Sequence, residues 1–255
     1  MRGARLGLHA LTRAPRFYVD APLQPGGSCV LPEDAAHHAV HVMRLRTGDE
    51  VVLFNGRGGE YSGRIARVEK LRISADILAH HPIERESALR VTLVQAVSAG
   101  DRMDFTVRKA VELGVAEIQP VLATRSVARP KGERAQSRRE HWQKVAIAAC
   151  EQCGRNRIPE VQPLIVDAAA YRPSSDTALK ILLSPLAELP FSAACKKAES
   201  EVMLAAGPEA GFTAEEEAAF VYSGFVPARL GPRVLRTETA ALAALAALNA
   251  LRGDF

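Results

Sequence analysis

Residues 204–216 read LAAGPEAGFTAEE. The apolar run from Glu201 to Ala206 has the length and composition of a strand buried on both faces. Gly207 to Gly211 interrupts it, and Thr213 with Glu216 three residues later forms a capping box that opens a helix. Working outward, the same rhythm recurs. Leu89–Val97 reads as a buried strand and Asp101–Leu113 as a helix closed by Gly114. Val115–Ala123 is the next strand, followed by a basic loop and a long helix carrying Trp142. Leu179–Leu183 and Gly224–Leu230 are further strands, ending in Ser184-Pro185 and Gly231-Pro232. Strands alternating with helices predict an α/β domain over residues 89–255, with a mostly parallel sheet covered on both faces and ligands at the carboxyl ends of its strands.

Residues 15–80 follow a different pattern. Arg16–Asp20, Asp49–Phe54, Glu60–Val68 and Leu71–Leu78 are rich in β-formers, and Asn55-Gly56-Arg57-Gly58-Gly59 is a tight-turn sequence between two of them. A single helix is predicted from Pro32 to about Met43, with Glu33 and Asp34 suited to its N-terminal dipole. This is a small β-barrel-like unit of a kind common among nucleic-acid binders. Residues 81–88, polar and containing Pro82, read as a linker. Residues 1–14 carry three arginines without an apolar core, which predicts a flexible tail and not a secretory signal.

The longest apolar run, Ala240–Leu248, is about half of what a bilayer span requires, so no membrane partner and a cytoplasmic location are expected. Net charge is only +4, but its distribution is uneven. Thr124–Arg157 holds nine basic and three acidic residues, leaving −2 for the rest of the chain. Such a patch either attracts phosphates or is a solvated helix face. Cys150 and Cys153 form a CxxC, yet Trp142, Val145, Ala146, Ala149 and both cysteines recur at helical spacing, which turns the thiols toward a core. His37 and His41 lie four apart, with neither a third ligand nor an HExxH pattern. No metal is expected.

Three glycine- or proline-bearing turns at strand ends remain: Ser184-Pro185, Gly207–Gly211 and Leu230–Arg233. Glycines at such points allow backbone to approach a flat ligand. No GxGxxG and no Walker A sequence occurs, so the dinucleotide and P-loop readings fail. On spacing alone, the middle turn is no more than a turn.

Resemblance adds what spacing does not. Residues 204–216, with LGPRVLRTETAALAAL at 230–245, resemble the cofactor-binding region of SPOUT methyltransferases, and within them the RsmE family, which methylates N3 of a uridine in small-subunit ribosomal RNA. Further matches are Arg16-Phe17-Tyr18-Val19, His37 to Leu45 with Gly48-Asp49, Asp101-Arg102-Met103, Lys109 with Glu112–Val115, and Glu151-Gln152 with Arg155. The resemblance covers residues 15–255 and departs at Ala210, where the family has glycine. It implies an N-terminal PUA-like RNA-binding domain, a SPOUT domain with a deep trefoil knot, a homodimer, and S-adenosyl-L-methionine as methyl donor.

On this basis the donor is expected to meet Leu183, Ser184, Pro185, Ala206, Gly207, Pro208, Glu209, Gly211, Leu230, Gly231, Val234, Leu235, Arg236 and Thr237. Methyl transfer to N3 requires removal of a weakly acidic proton, which spreads negative charge onto the flanking base oxygens. Arg236 is the candidate for stabilising that charge, with a salt bridge to Glu238 or Glu209 as its plain structural alternative. Glu209 is either a base or a holder of its own loop. Expected RNA contacts are Arg16, His41, Arg44, Arg46, Arg125, Arg129, Lys131 and Arg155, the partner being ribosomal RNA or the small subunit. A leucine stripe, Leu242, Leu245, Leu248 and Leu251, is expected to support a homodimer or to pack on its own sheet. Two other functions fit the same pattern: a non-catalytic ribosome-associated RNA-binding protein, and a SPOUT methyltransferase acting on transfer RNA.

Overall fold

The computed structural model describes residues 14–69, 72–173, 175–176, 178–198, 200–253 and 255, so of the tail expected over 1–14 only Ala14 falls within the described residues. The chain forms two compact units, one running to Glu86 and taking in Cys150–Ile158, the other comprising Ser87–Ala149 and Pro159–Phe255.

The first unit is a five-stranded sheet in the order β1-β3-β4-β5-β2, with β1 Arg16–Tyr18, β2 Ser28–Val30, β3 Glu50–Phe54, β4 Glu60–Glu69 and β5 Arg72–His81. β1 pairs with β3 in parallel and the other pairings are antiparallel. The long β4–β5 ladder slips register at Ser62/Gly63 and Ile65/Arg67, and such bulges bend and twist a sheet around a core. Phe17, Leu53, Ile65 and Ile73 fill that core, and helix α1, Glu33–His41, closes it with Ala36 and Ala39.

Residues 150–158 were not foreseen as part of this unit. A buried carboxylate is at the centre of their attachment. Glu60, only 1% exposed, accepts from Arg16 Nη1 at 2.6 Å, Arg85 Nη1 at 2.9 Å and Asn156 Nδ2 at 3.2 Å. Arg16 Nη2 also donates to Asn156 Oδ1 at 2.6 Å, and the Tyr18 N–H donates to Glu151 at 3.0 Å. The stretch expected as a linker takes part as well: Glu84 accepts from the Gly59 N–H, and Glu86 accepts from Arg155 Nε at 3.2 Å. Cys150 lies inside the core, where burial pushes its thiol up to about 12.

The second unit is a six-stranded, all-parallel sheet in the order β11-β9-β10-β6-β7-β8. Its strands are β6 Arg90–Ala96, β7 Glu117–Val121, β8 Glu160–Val161, β9 Leu179–Leu183, β10 Glu201–Ala206 and β11 Val226–Ala228. Its helices are α2 Arg102–Glu112, α3 Glu133–Cys153 (whose last residues enter the first unit), α4 Phe191–Ala194, α5 Ala214–Tyr222 and α6 Thr237–Arg252. On one face Val94, Ala96, Met203 and Ala205 pack with Phe212, Phe220, Phe225 and Tyr171. Strand alternation turns Val91, Leu93 and Gln95 to the other face, which α2 and α6 cover. Asn249 Nδ2 of α6 donates to Leu113 O at the end of α2, at 2.7 Å.

That packing decides between the two readings of the leucine stripe. Leu245 and Leu248 are 1% and 0% exposed within the single chain, because α6 lies against α2 and β10. They belong to the subunit's own core and do not form a seam for a second copy. Leu251 alone of the stripe is exposed.

Candidate functional site

The carboxyl ends of β9, β10, β11 and β6 lie side by side because the sheet is parallel and in register, Ala206 standing opposite both Leu183 and Gln95. Three loops leave this edge. The first is built by Ser184, whose N–H donates to Ala228 O at 3.1 Å, and by Arg229, whose Nη1 donates to Ala187 O at 2.8 Å. The third runs from Leu230 to Arg236 and ends as the N-cap of α6. Of the expected donor-binding residues, Leu183, Ser184, Pro185, Leu230, Gly231 and Leu235 line one cleft, joined by Ala228, Arg233 and Ala240. Gly231 has φ 107°, a conformation that L side chains rarely adopt, and its Cα faces open space.

The second loop, Gly207–Gly211, turns tightly into the capping box, which forms as expected: Glu216 N–H donates to Thr213 Oγ1 and Thr213 N–H to Glu216. A Cβ on Gly207 would stand 3.1 Å from Phe212 N and 3.2 Å from its ring, so the glycine is needed for this close return of the chain. Ala206 and Pro208 are buried supports of the turn. Ala210, the departure from the family pattern, is exposed and has no positive φ, so its methyl group does not obstruct the turn. Thr237 ties the second loop to the third, its hydroxyl donating to Gly207 O at 2.5 Å. Val234 is exposed in the third loop.

Glu209 accepts from the Ala99 N–H at 3.0 Å and from Arg102 Nη1 at 2.9 Å. Partial burial works to raise its pKa, but these bonds, with one from its own N–H, outweigh that and hold the carboxyl below its ordinary value. A carboxylate held in this way fastens its loop to the start of α2. A lowered pKa makes it a weaker base, so the geometry favours the holding role. Arg236 is exposed, and among the described residues it makes no ion pair with Glu238 or Glu209.

The expected RNA contacts separate by environment. His41, Arg44 and Arg46 are exposed in the first unit, where the His37 and His41 rings lie 4.5 Å apart and Arg44 has φ 57°. Arg16 and Arg155 correct the expectation. Arg155 is 4% exposed against Glu86, and Arg16 is enclosed between Glu60, Asn156 and the Phe54 ring, so both are framework groups. In the second unit, Arg125 Nη1 donates to Ala210 O and Phe212 O, supporting the second loop. Arg129 holds Thr124 O at 2.7 Å and, with Arg134 and Arg138, lines an open groove of about 630 Å³; Lys131 is exposed beside it.

Sequence reasoning missed Gln95. It extends the apolar run of β6, so only its amide could have singled it out. The structure makes it fully buried, with Nε2 donating to Thr237 Oγ1 at 3.0 Å.

Two family models match this chain, an RNA methyltransferase domain over residues 85–249 and an RNA methyltransferase PUA domain over residues 31–78. A ribosomal RNA small subunit methyltransferase E of Buchnera aphidicola is 33% identical over 95% of this chain and 98% of its own length. The Bacillus subtilis protein of the same name is 30% identical, with 87% and 91% covered. A crystal structure of the Neisseria gonorrhoeae methyltransferase E bound to S-adenosyl methionine superposes with a TM-score of 0.87 at 39% identity, covering 95% of this chain and 99% of that one. A Legionella pneumophila chain solved with SAM bound gives a TM-score of 0.88 at 37% identity, covering 95% and 100%. An all-parallel α/β unit with clustered loops at its strand ends, a PUA-like unit before it, and full-length relatives at this level of identity lead to one conclusion: the chain belongs to the ribosomal RNA small subunit methyltransferase E family, with the SPOUT fold.

Proposed function

We propose that this chain transfers a methyl group from S-adenosyl-L-methionine to N3 of a uridine in small-subunit ribosomal RNA. The observation that carries the reading is the cleft at the strand ends. Leu183–Pro185 line it with Leu230, Gly231, Arg233 and Leu235, a Cβ on Gly231 would meet open space, and Thr237 joins the second loop to the third. In character, though not in open volume, these residues suit an adenosine: apolar walls, backbone groups at hand and no side chain over Gly231. The donor supplies an activated methyl group, and the chain supplies alignment and electrostatics. Arg236, exposed at the N-cap of α6, is the guanidinium proposed to stabilise charge on the uracil oxygens as the N3 proton leaves. Glu209 keeps the second loop in place.

RNA is held by exposed side chains: the cations Arg44 and Arg46 with His41 beside them in the first unit, and Arg129, Arg134 and Lys131 in the second. The knotted crossing of the SPOUT domain, assembly as a homodimer and a cytoplasmic location where ribosomal RNA is made are part of this proposal. No described helix is long and apolar enough to cross a membrane. The exposed methyl group of Ala210 and the crowded Gly207 turn favour an active enzyme over a non-catalytic binder. Titrating S-adenosylhomocysteine calorimetrically, then assaying labelled donor with undermethylated small subunits and with transfer RNA, tests the proposal. Label entering the subunits alone is expected, and label entering transfer RNA alone replaces the substrate.

A further inference from the structure

Three observations converge at the carboxyl end of β6. First, Gln95 lies in a strand whose other residues from Val91 to Ala96 are buried, and it is itself fully buried. Second, its Nε2 donates to Thr237 Oγ1 and to Ala96 O, each at 3.0 Å, while the Thr237 hydroxyl donates to Gly207 O at 2.5 Å. A hydroxyl has one hydrogen, so with that hydrogen on Gly207 O the threonine must accept from Gln95, and the chain of donors has one direction. Third, Gln95 Oε1 and, three residues on, Ser98 Oγ are buried without a hydrogen-bond partner among the described residues. A leucine would fill the same volume with no unpaired atom, so what the amide contributes is the link it makes.

We infer that Gln95 is a positioning residue for the methyl-donor site: through Thr237 it fixes the second loop, at Gly207, against the start of α6. This rests on the reading that the donor binds at these loops. Gln95 stands opposite Ala206 in the β6–β10 register, so its side chain rises from the strand beside the one that delivers Gly207. Thr237 is the first residue of α6 and follows the N-cap Arg236 directly. One amide therefore sets the separation of two cofactor loops and the place from which Arg236 reaches out. A second tie runs parallel to it, Glu209 holding Ala99 and Arg102 just beyond β6. The strand that contributes none of the expected donor contacts thus braces the loops that do.

The test is calorimetry with S-adenosylhomocysteine on the full chain and on Gln95→Leu, Thr237→Val, the double variant and Gly231→Val. Gln95→Leu and Thr237→Val are each expected to weaken binding about ten-fold, the scale of one buried hydrogen bond. The double variant should be no weaker than Thr237→Val alone, because both changes break one chain of bonds. Amide exchange across 207–211 should rise in Gln95→Leu while the β6–β10 amides stay protected. Additive losses, the pattern of two independent packing defects, overturn the inference. So does wild-type affinity in Gln95→Leu when Gly231→Val binds poorly, a result that leaves the cofactor site standing. Wild-type affinity in Gly231→Val, or no binding by the wild type, removes the cofactor reading and the inference with it. Should Gln95→Leu not fold, Gln95→Met is put through the same exchange measurement, and unchanged exchange at 207–211 overturns the idea.

Discussion

Arginines occupy two contrasting settings in this molecule. Around Glu60, Arg16 and Arg85 converge on one buried carboxylate, and Arg155 is enclosed against Glu86. Along residues 129–138, Arg129, Arg134 and Arg138 line an open groove. The first group is matched by acidic partners and holds residues 150–158 to the first unit; the second faces solvent with a single acidic residue, Glu133, among those lining the groove. The same side chain is framework in one place and a candidate phosphate contact in the other, and the difference lies in the carboxylate that faces it. An unpaired buried charge is heavily penalised, whereas an exposed one keeps its water until a phosphate replaces it.

The sharpest break of this contrast is Glu60→Gln. It leaves Arg16 and Arg85 without their counter-charge, and removing one partner of a buried ion pair costs about 3–5 kcal/mol. Denaturant unfolding should register that loss, whereas replacing Arg134 or Arg138 with glutamine should shift stability by no more than about 0.5 kcal/mol each. Equal effects would erase the distinction between the settings.

Arg236→Ala comes next. Loss of a donor aimed at developing charge lowers turnover by about a hundred-fold or more. Because Arg236 is exposed and outside the cofactor cleft's walls, S-adenosylhomocysteine affinity should hold. A parallel loss of affinity would make it a binding residue.

The groove has its own readout, in the variant with Arg129, Arg134 and Arg138 all replaced by glutamine. Each phosphate contact on single-stranded RNA contributes about 0.7 to the slope of log affinity against log salt, so removing three arginines should flatten the slope by up to about 2. Filter binding over a salt series measures this, and an unchanged slope makes the groove a solvated surface.

The pH dependence of stability is the smallest effect. Burial works to raise the Glu60 carboxyl, but hydrogen bonds from Arg85, Arg16 and Asn156 outweigh it and hold the pKa below its ordinary value. A depressed carboxylate contributes stability that is fully present above its unfolded pKa, about 4.3, and is lost as pH falls through the lower folded value. Unfolding curves below about pH 4.3 should therefore steepen in the wild type and flatten in Glu60→Gln.

The fold was largely legible in the sequence because long apolar strands and capped helices announce themselves locally. β6, β9, β10 and the capping box at Thr213 stand where their residues predict. β2 and β8 are three and two residues long, too short to carry a period. Residues 150–153 continue the helical pattern of α3 and 154–158 follow its end, and their attachment to the first unit depends on Glu60 and Ile83, distant in sequence. Arg16 and Arg155 read as surface cations for the same reason, since nothing beside them announces their carboxylates. The cofactor loops were legible through glycine and proline punctuation, while Gln95 was not, because its partner lies 142 residues away.

The most direct test is to incubate the chain with S-adenosyl-L-methionine and undermethylated small ribosomal subunits, digest the RNA and map the product by mass. A single N3-methyluridine in the small-subunit RNA, absent with Arg236→Ala, is the predicted result. Methylation at another atom or base, or none by a folded chain that binds S-adenosylhomocysteine, contradicts it.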